Sequence, residues 1–158
     1  MTARLDSVCK FICESGNWRV TNLQAQKILY LAYMYYLGNK GERLTDAFFE
    51  AWDYGPVEPS VYQKVRMFGS DPIQDIFYRA RNFKVDDPRR TALTEVCDFL
   101  IPLRPSALID ITHWEKGAWA KNYVPGVKGI RISDTDIAAE YECRSAANSH
   151  HADHFSAI

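Results

Sequence analysis

The ten residues Ile28 to Leu37, read as ILYLAYMYYL, carry no charge and present an apolar or aromatic side chain in every direction around a helix. A helix of that kind is stable in water only when other elements surround it. The run is well short of the roughly 18 apolar residues that a membrane span needs, so it predicts a buried central helix. Its four tyrosines, 30, 33, 35 and 36, join apolar rings to polar tips, which predicts hydroxyls that reach the edge of the core and hydrogen-bond there. With 158 residues, the rest of the chain suffices to wrap that helix as one domain. A domain of this size buries roughly 68–70% of its unfolded surface, so it requires no metal or disulfide staple.

The flanking pattern supplies the wrapping. Leu5, Val8, Cys9 and Ile12 follow helical spacing and stop at Gly16-Asn17. Thr21 and Gln24 stand at capping-box spacing, predicting a second helix from Asn22 to Leu37 that ends at Gly38. The segment Phe48 to Trp52 reads as a short strand, with a small hairpin near residues 44–54. Gly55-Pro56 forms a bend, and Pro59 opens a third helix carrying Val61, Val65 and Phe68 to Gly69. Asp71-Pro72 and Asp87-Pro88 both read as cap-then-proline helix starts, the first followed by Ile73, Ile76, Phe77 and Ala80. A short helix around Leu108, Ile111 and Thr112 leads into His113, and Ser133 with Asp136 flanks a last helix to about Glu142. The expected fold is mainly α: one multi-helix domain over residues 1–142, followed by a mobile His-rich tail over 143–158.

Composition narrows the function. Nineteen Lys+Arg against 20 Asp+Glu give a net charge of -1, which disfavours a nucleic-acid partner that binds through phosphate contacts. The chain lacks an apolar export signal near Met1, so a cytoplasmic protein is expected. Its four cysteines contain no CxxC pair and read as core thiols. No phosphate-binding glycine loop, GxSxG or HExxH motif occurs. No cofactor is expected.

Two clusters could carry chemistry. His113 and Glu115 could exchange protons, but two-residue spacing on a helix makes them diverge, so His113 reads as a packing or hydrogen-bonding group. His150, His151 and His154 could ligate a metal, yet neither cysteines nor carboxylates with zinc-site spacing support them. Arg79 and Arg81 belong to a mixed-charge basic stretch that reads as a solvated face or a docking patch for an acidic protein. Trp52, Tyr54, Tyr62, Trp114 and Trp119 lie in or beside bends, where such side chains serve either as core packing or as interface anchors.

Three segments together resemble a known family. Val20-Thr21-Asn22-Leu23-Gln24-Ala25-Gln26-Lys27-Ile28-Leu29-Tyr30 resembles its opening VTNLxxQKxLY motif. Ala51-Trp52-Asp53-Tyr54-Gly55-Pro56-Val57-Glu58-Pro59-Ser60-Val61-Tyr62 resembles AWxYGPVxPxVY, and Thr112-His113 with Trp119 resembles the closing TH…W. The family is the SocA-like Panacea antitoxin domain, often labelled phage-associated, and the resemblance covers about residues 5–142. Between Tyr62 and Thr112 it is loose, and Ala118 stands where the family usually has Pro. The resemblance implies a non-enzymatic antitoxin that binds a protein toxin encoded by the adjacent gene, or else an adaptor that delivers the toxin to a AAA+ protease such as ClpXP.

Overall fold

The axis of the fold is α2 (Asn22–Lys40), buried continuously from Ala25 to Tyr36. The structure is a computed structural model that describes residues 3–147. The predicted capping box opens α2: the Gln24 N–H donates to Thr21 Oγ1, and the Thr21 N–H donates to Gln24 Oε1 at 2.9 Å. Its end differs from the sequence expectation, since the helix runs through Gly38 and stops at Gly41, which adopts the left-handed conformation at φ 71°. Gly38 is a packing residue instead, because a Cβ there would collide with the Tyr141 ring.

Helices α1 (Leu5–Ser15), α4 (Pro88–Leu100), α5 (Pro105–Thr112) and α7 (Asp134–Ala147) all pack on α2. The tyrosine hydroxyls reach carboxylates on two of these wrapping helices. Tyr30 donates to Glu140 and Tyr33 to Asp134, both at 2.7 Å, while Tyr35 donates to Glu95 at 3.4 Å. Phe49 fills the space between the Tyr30 and Tyr33 rings with edge contacts at 5.1 and 5.3 Å. Asp87 caps α4 with Pro88 in its first turn, and Ser133 accepts the Asp136 N–H at the start of α7.

The hairpin lies further along the chain than the sequence suggests. Strand β1 (Phe49–Trp52) pairs antiparallel with β2 (Gly55–Val57), so Asp53-Tyr54 is the turn and Gly55-Pro56 belongs to a strand. The other edge of β1 takes β3 (Arg131–Ile132), a two-residue strand too short to show any periodicity, in the order β2-β1-β3. Helix α3 (Pro59–Val65) begins at Pro59 as expected, with buried Glu58 as its cap. A short α6 (Ala118–Asn122) carries Trp119 of the closing segment and precedes β3.

Two other expectations are corrected. The Asp71-Pro72 segment forms no helix. Ile73 donates its N–H to the Val20 carbonyl, Phe77 donates its own to the Asp75 side chain, and Lys10 bonds the Ala80 carbonyl. The apolar spacing still buries Ile73 and Phe77, but their backbone groups are satisfied by long-range and Asx-type bonds. The last helix continues past Glu142, so residues 143–147, assigned to the tail by sequence, are helical and Arg144 is buried. The rest of the tail, with His150, His151 and His154, lies outside the described residues.

Candidate functional site

The first two turns of α2 set Asn22, Leu23, Gln26 and Lys27 on one face, toward the β1–β2 hairpin and the start of α3. Gln26 acts as a backbone mimic: its amide donates to the Glu58 carbonyl at 3.3 Å and accepts the Glu58 N–H at 2.8 Å. The Glu58 carboxylate in turn accepts the Val61 N–H at 2.9 Å and the Ser60 hydroxyl at 2.5 Å. These bonds fix the turn from β2 into α3 against α2.

Lys27 performs the same task on the hairpin. It is 2% exposed, and its ammonium donates to the Tyr54 carbonyl. Gly55 has φ 114°, and a Cβ at that position would collide with Lys27 Nζ and lie 3.2 Å from His113 Nε2. Glycine is therefore required twice over, by backbone angle and by space. Burial lowers the Lys27 pKa to about 8. Burial also lowers the His113 pKa, with Lys27 adding to the effect and the Tyr54 carbonyl and Asp110 opposing it.

The closing segment supports the hairpin from behind. His113 stacks on Trp119 at 4.1 Å and 12°, and Trp119 stacks on Tyr123 at 4.7 Å and 18°. The Trp119 indole N–H donates to the Trp52 carbonyl at 2.7 Å, and the Tyr123 hydroxyl donates to Asp53. Behind this stack, buried Glu140 accepts from Tyr30, from the Ala118 N–H at 2.8 Å and from Arg144 Nε at 2.8 Å. Arg144 also bonds the Ile111 carbonyl and lies over the Trp114 ring at 4.6 Å. Ala118 thus uses an N–H that proline at that position would lack.

The start of α2, the β1–β2 hairpin, α3 and residues 69–70 and 126–128 border an open cavity of about 590 Å³, walled by Asn22, Lys27, Trp52, Tyr54, Tyr62 and Val127 among others. Trp52 and Tyr62 pack edge to face at 4.8 Å, Tyr54 is 75% exposed, and Val127 is 47% exposed. Asn22 Oδ1 is buried without a hydrogen-bond partner. Among the described residues no group of three or more His, Cys, Asp or Glu side chains could hold a metal ion. Cys13 and Cys97 are pushed by burial to about 12, and Cys9 is also raised well above its ordinary range.

The sequence-derived candidates therefore divide. Trp52, Tyr54 and Tyr62 share the cavity wall with Asn22, Leu23, Gln26 and Lys27. Trp119 is 9% exposed and supports the hairpin from behind, and half-buried Trp114 lies under Arg144. Arg79 and Arg81 are exposed on the connection between α3 and α4, outside the cavity lining. Thr21 caps α2, and buried Tyr30 bonds Glu140. Thr112 bonds back to the Leu108 carbonyl at 3.0 Å. Pro56 lies in β2, paired with Ala51. Glu140 and Arg144 escaped sequence reading, because a Glu and an Arg four apart on a polar helix look like an ordinary solvated pair.

Comparison with known proteins agrees with the three motifs. A family model described as "Antitoxin SocA-like, Panacea domain" matches residues 25–120. Antitoxin SocA of Caulobacter vibrioides (strain NA1000 / CB15N) is 32% identical over 134 residues, covering 75% of this chain and 70% of that protein. No solved structure matches.

Proposed function

The chain belongs to the SocA-like Panacea antitoxin family, and from that premise we propose that it neutralises a protein toxin by binding it directly, with the cavity and its Tyr54 rim as the docking face. One observation carries this reading: the opening and hairpin motifs, distant in sequence, share the wall of one open cavity whose lining includes the exposed side chains Tyr54 and Val127. Exposed aromatics beside a concave surface are the usual anchors of protein interfaces. The family supplies the antitoxin role and the expectation of a toxin partner. A binding role, rather than a catalytic one, is in keeping with His113, whose ring is stacked on Trp119 and lowered in pKa by burial. Among the described residues no helix is long and apolar enough to cross a membrane.

The test is co-expression with the gene encoded beside this one. Growth rescue and co-purification of the two proteins are expected, and Tyr54→Ala should reduce both while leaving the melting temperature unchanged. Rescue should persist in cells lacking the AAA+ protease, since masking needs no degradation. A toxic neighbour that is neither bound nor neutralised sinks the proposal.

A further inference from the structure

Lys27 is a buried cation without a counter-ion. No ion pair includes it among the described residues, and the Tyr54 carbonyl takes one of its three N–H donors. Buried ammonium groups are rarely left in that condition, because desolvation is costly unless a charge or several acceptors offset it. The charged residues of the cavity lining are Lys27, Lys128 and Asp53, and Asp53 already accepts the Tyr123 hydroxyl. The lining thus carries a net positive charge, and its buried charged residue is Lys27. It also holds a polar atom that lacks a donor, Asn22 Oδ1. Around these groups the wall is apolar, formed by Leu23, Trp52, Val57, Tyr62 and Val127.

We infer that the cavity receives an acidic side chain, Asp or Glu, carried on an otherwise apolar segment of the toxin. Its carboxylate meets the Lys27 ammonium, and an N–H of the same segment meets Asn22 Oδ1. The inference rests on the reading that the toxin docks on this face, and adds the chemistry of the anchor. The incoming carboxylate supplies the charge that the fold leaves out, while the apolar wall excludes water from the pair and strengthens it. The volume of about 590 Å³ lies inside the range of roughly 300–1,000 Å³ typical of ligand sites.

Lys27→Met tests the charge but also removes the bond to Tyr54, so the deciding variant is Asn22→Asp. Asn22 is the first residue of α2, where a carboxylate is favourable to the helix. Asp at that position brings negative charge onto the cavity wall and repels an incoming acid without removing any existing hydrogen bond. Full-length antitoxin, wild type and Asn22→Asp, is titrated with the purified product of the adjacent toxin gene, with Tyr54→Ala alongside. Overlapping toxin peptides, blocked at both ends, are then titrated in native form and with Asp/Glu changed to Asn/Gln.

The expected result is a loss of about tenfold or more in affinity for Asn22→Asp at unchanged melting temperature. One blocked peptide should bind and lose binding on acid-to-amide change. Unchanged affinity for Asn22→Asp together with weakened Tyr54→Ala overturns the acidic anchor but keeps the docking face. Unchanged affinity for both overturns the docking face as well. Binding seen only with a free peptide C-terminus replaces the acidic side chain with a terminal carboxylate and overturns the inference as stated.

Discussion

Gly55 is where backbone geometry and site chemistry meet. Its φ of 114° excludes most side chains, and the space a Cβ would take is filled by Lys27 Nζ. Gly55→Val should therefore cost about 1–3 kcal/mol for the backbone alone, with more for the displaced lysine. Urea unfolding measures the loss, and a folded variant should also bind toxin more weakly because the Tyr54 turn has moved. Lys27 adds a pH signature. Its folded pKa, about 8, lies below the unfolded value of about 10.4. The unfolded state therefore holds the extra proton between these values, and the lysine's burden on stability is present below pH 8 and relieved as pH rises to about 10.4. The buried thiols Cys9, Cys13 and Cys97 act oppositely: their folded pKa values are raised, so stability falls as pH climbs from about 8.5. Lys27→Met leaves the thiols in place and isolates the lysine. The stability of Lys27→Met minus that of the wild type should shrink by up to about 3 kcal/mol between pH 8 and 10.4. A difference that stays constant with pH contradicts a buried charged Lys27.

At the scale of elements, local signals were legible where they are chemical and obscure where they are tertiary. Thr21-Gln24, Pro59, Asp87-Pro88 and Ser133 all lie at helix starts, where Thr21, Asp87 and Ser133 each accept a free backbone N–H; the Glu58 cap before Pro59 escaped sequence reading. The same Asp-Pro signal at Asp71 failed, because Ile73 gives its N–H to Val20 and Asp75 takes that of Phe77. Gly38 misled for a related reason. Glycine near the end of an apolar run looks like a terminator, but it lies inside α2 so that α7 can bring Tyr141 against the helix backbone. A paired substitution separates these meanings. Gly38→Ala on a free helix would stabilise by about 0.8–1 kcal/mol, whereas here thermal unfolding should show it destabilising. In a Tyr141→Ala background the same change should become neutral or stabilising, since the clash is gone. Destabilisation of equal size in both backgrounds would place the fault elsewhere.

At the scale of the molecule, the opening and hairpin motifs supply wall residues of the candidate site, the closing motif supports the hairpin from behind, and the chain's course around α2 explains why they meet. Opening motif, hairpin and closing segment are joined by hydrogen bonds from Gln26, Lys27 and Trp119 to the backbone of residues 52–58. The burial of Lys27 could not be read from sequence, since a lysine in the first half of a helix normally reaches solvent. Nor could the role of α7, which holds the closing segment through Glu140 and Arg144 although the sequence places Arg144 in a tail. That difference sets the last prediction. A chain ending after Glu142, the boundary the sequence suggests, loses Arg144 and leaves Glu140, which is 2% exposed, without its cation. Removing one partner of a buried pair typically costs about 3–5 kcal/mol. This chain should melt well below one ending after Ala147, which keeps the pair. The cavity wall should loosen with it, because the Ile111 carbonyl loses Arg144, and Glu140, which accepts the Ala118 N–H beside Trp119, loses the cation that orients it. Near-ultraviolet circular dichroism of the Trp119 stack should then weaken in the shorter chain before global unfolding, and toxin affinity should fall in step. If the two chains melt together and bind alike, α7 is a cover for the core and not a support for the site.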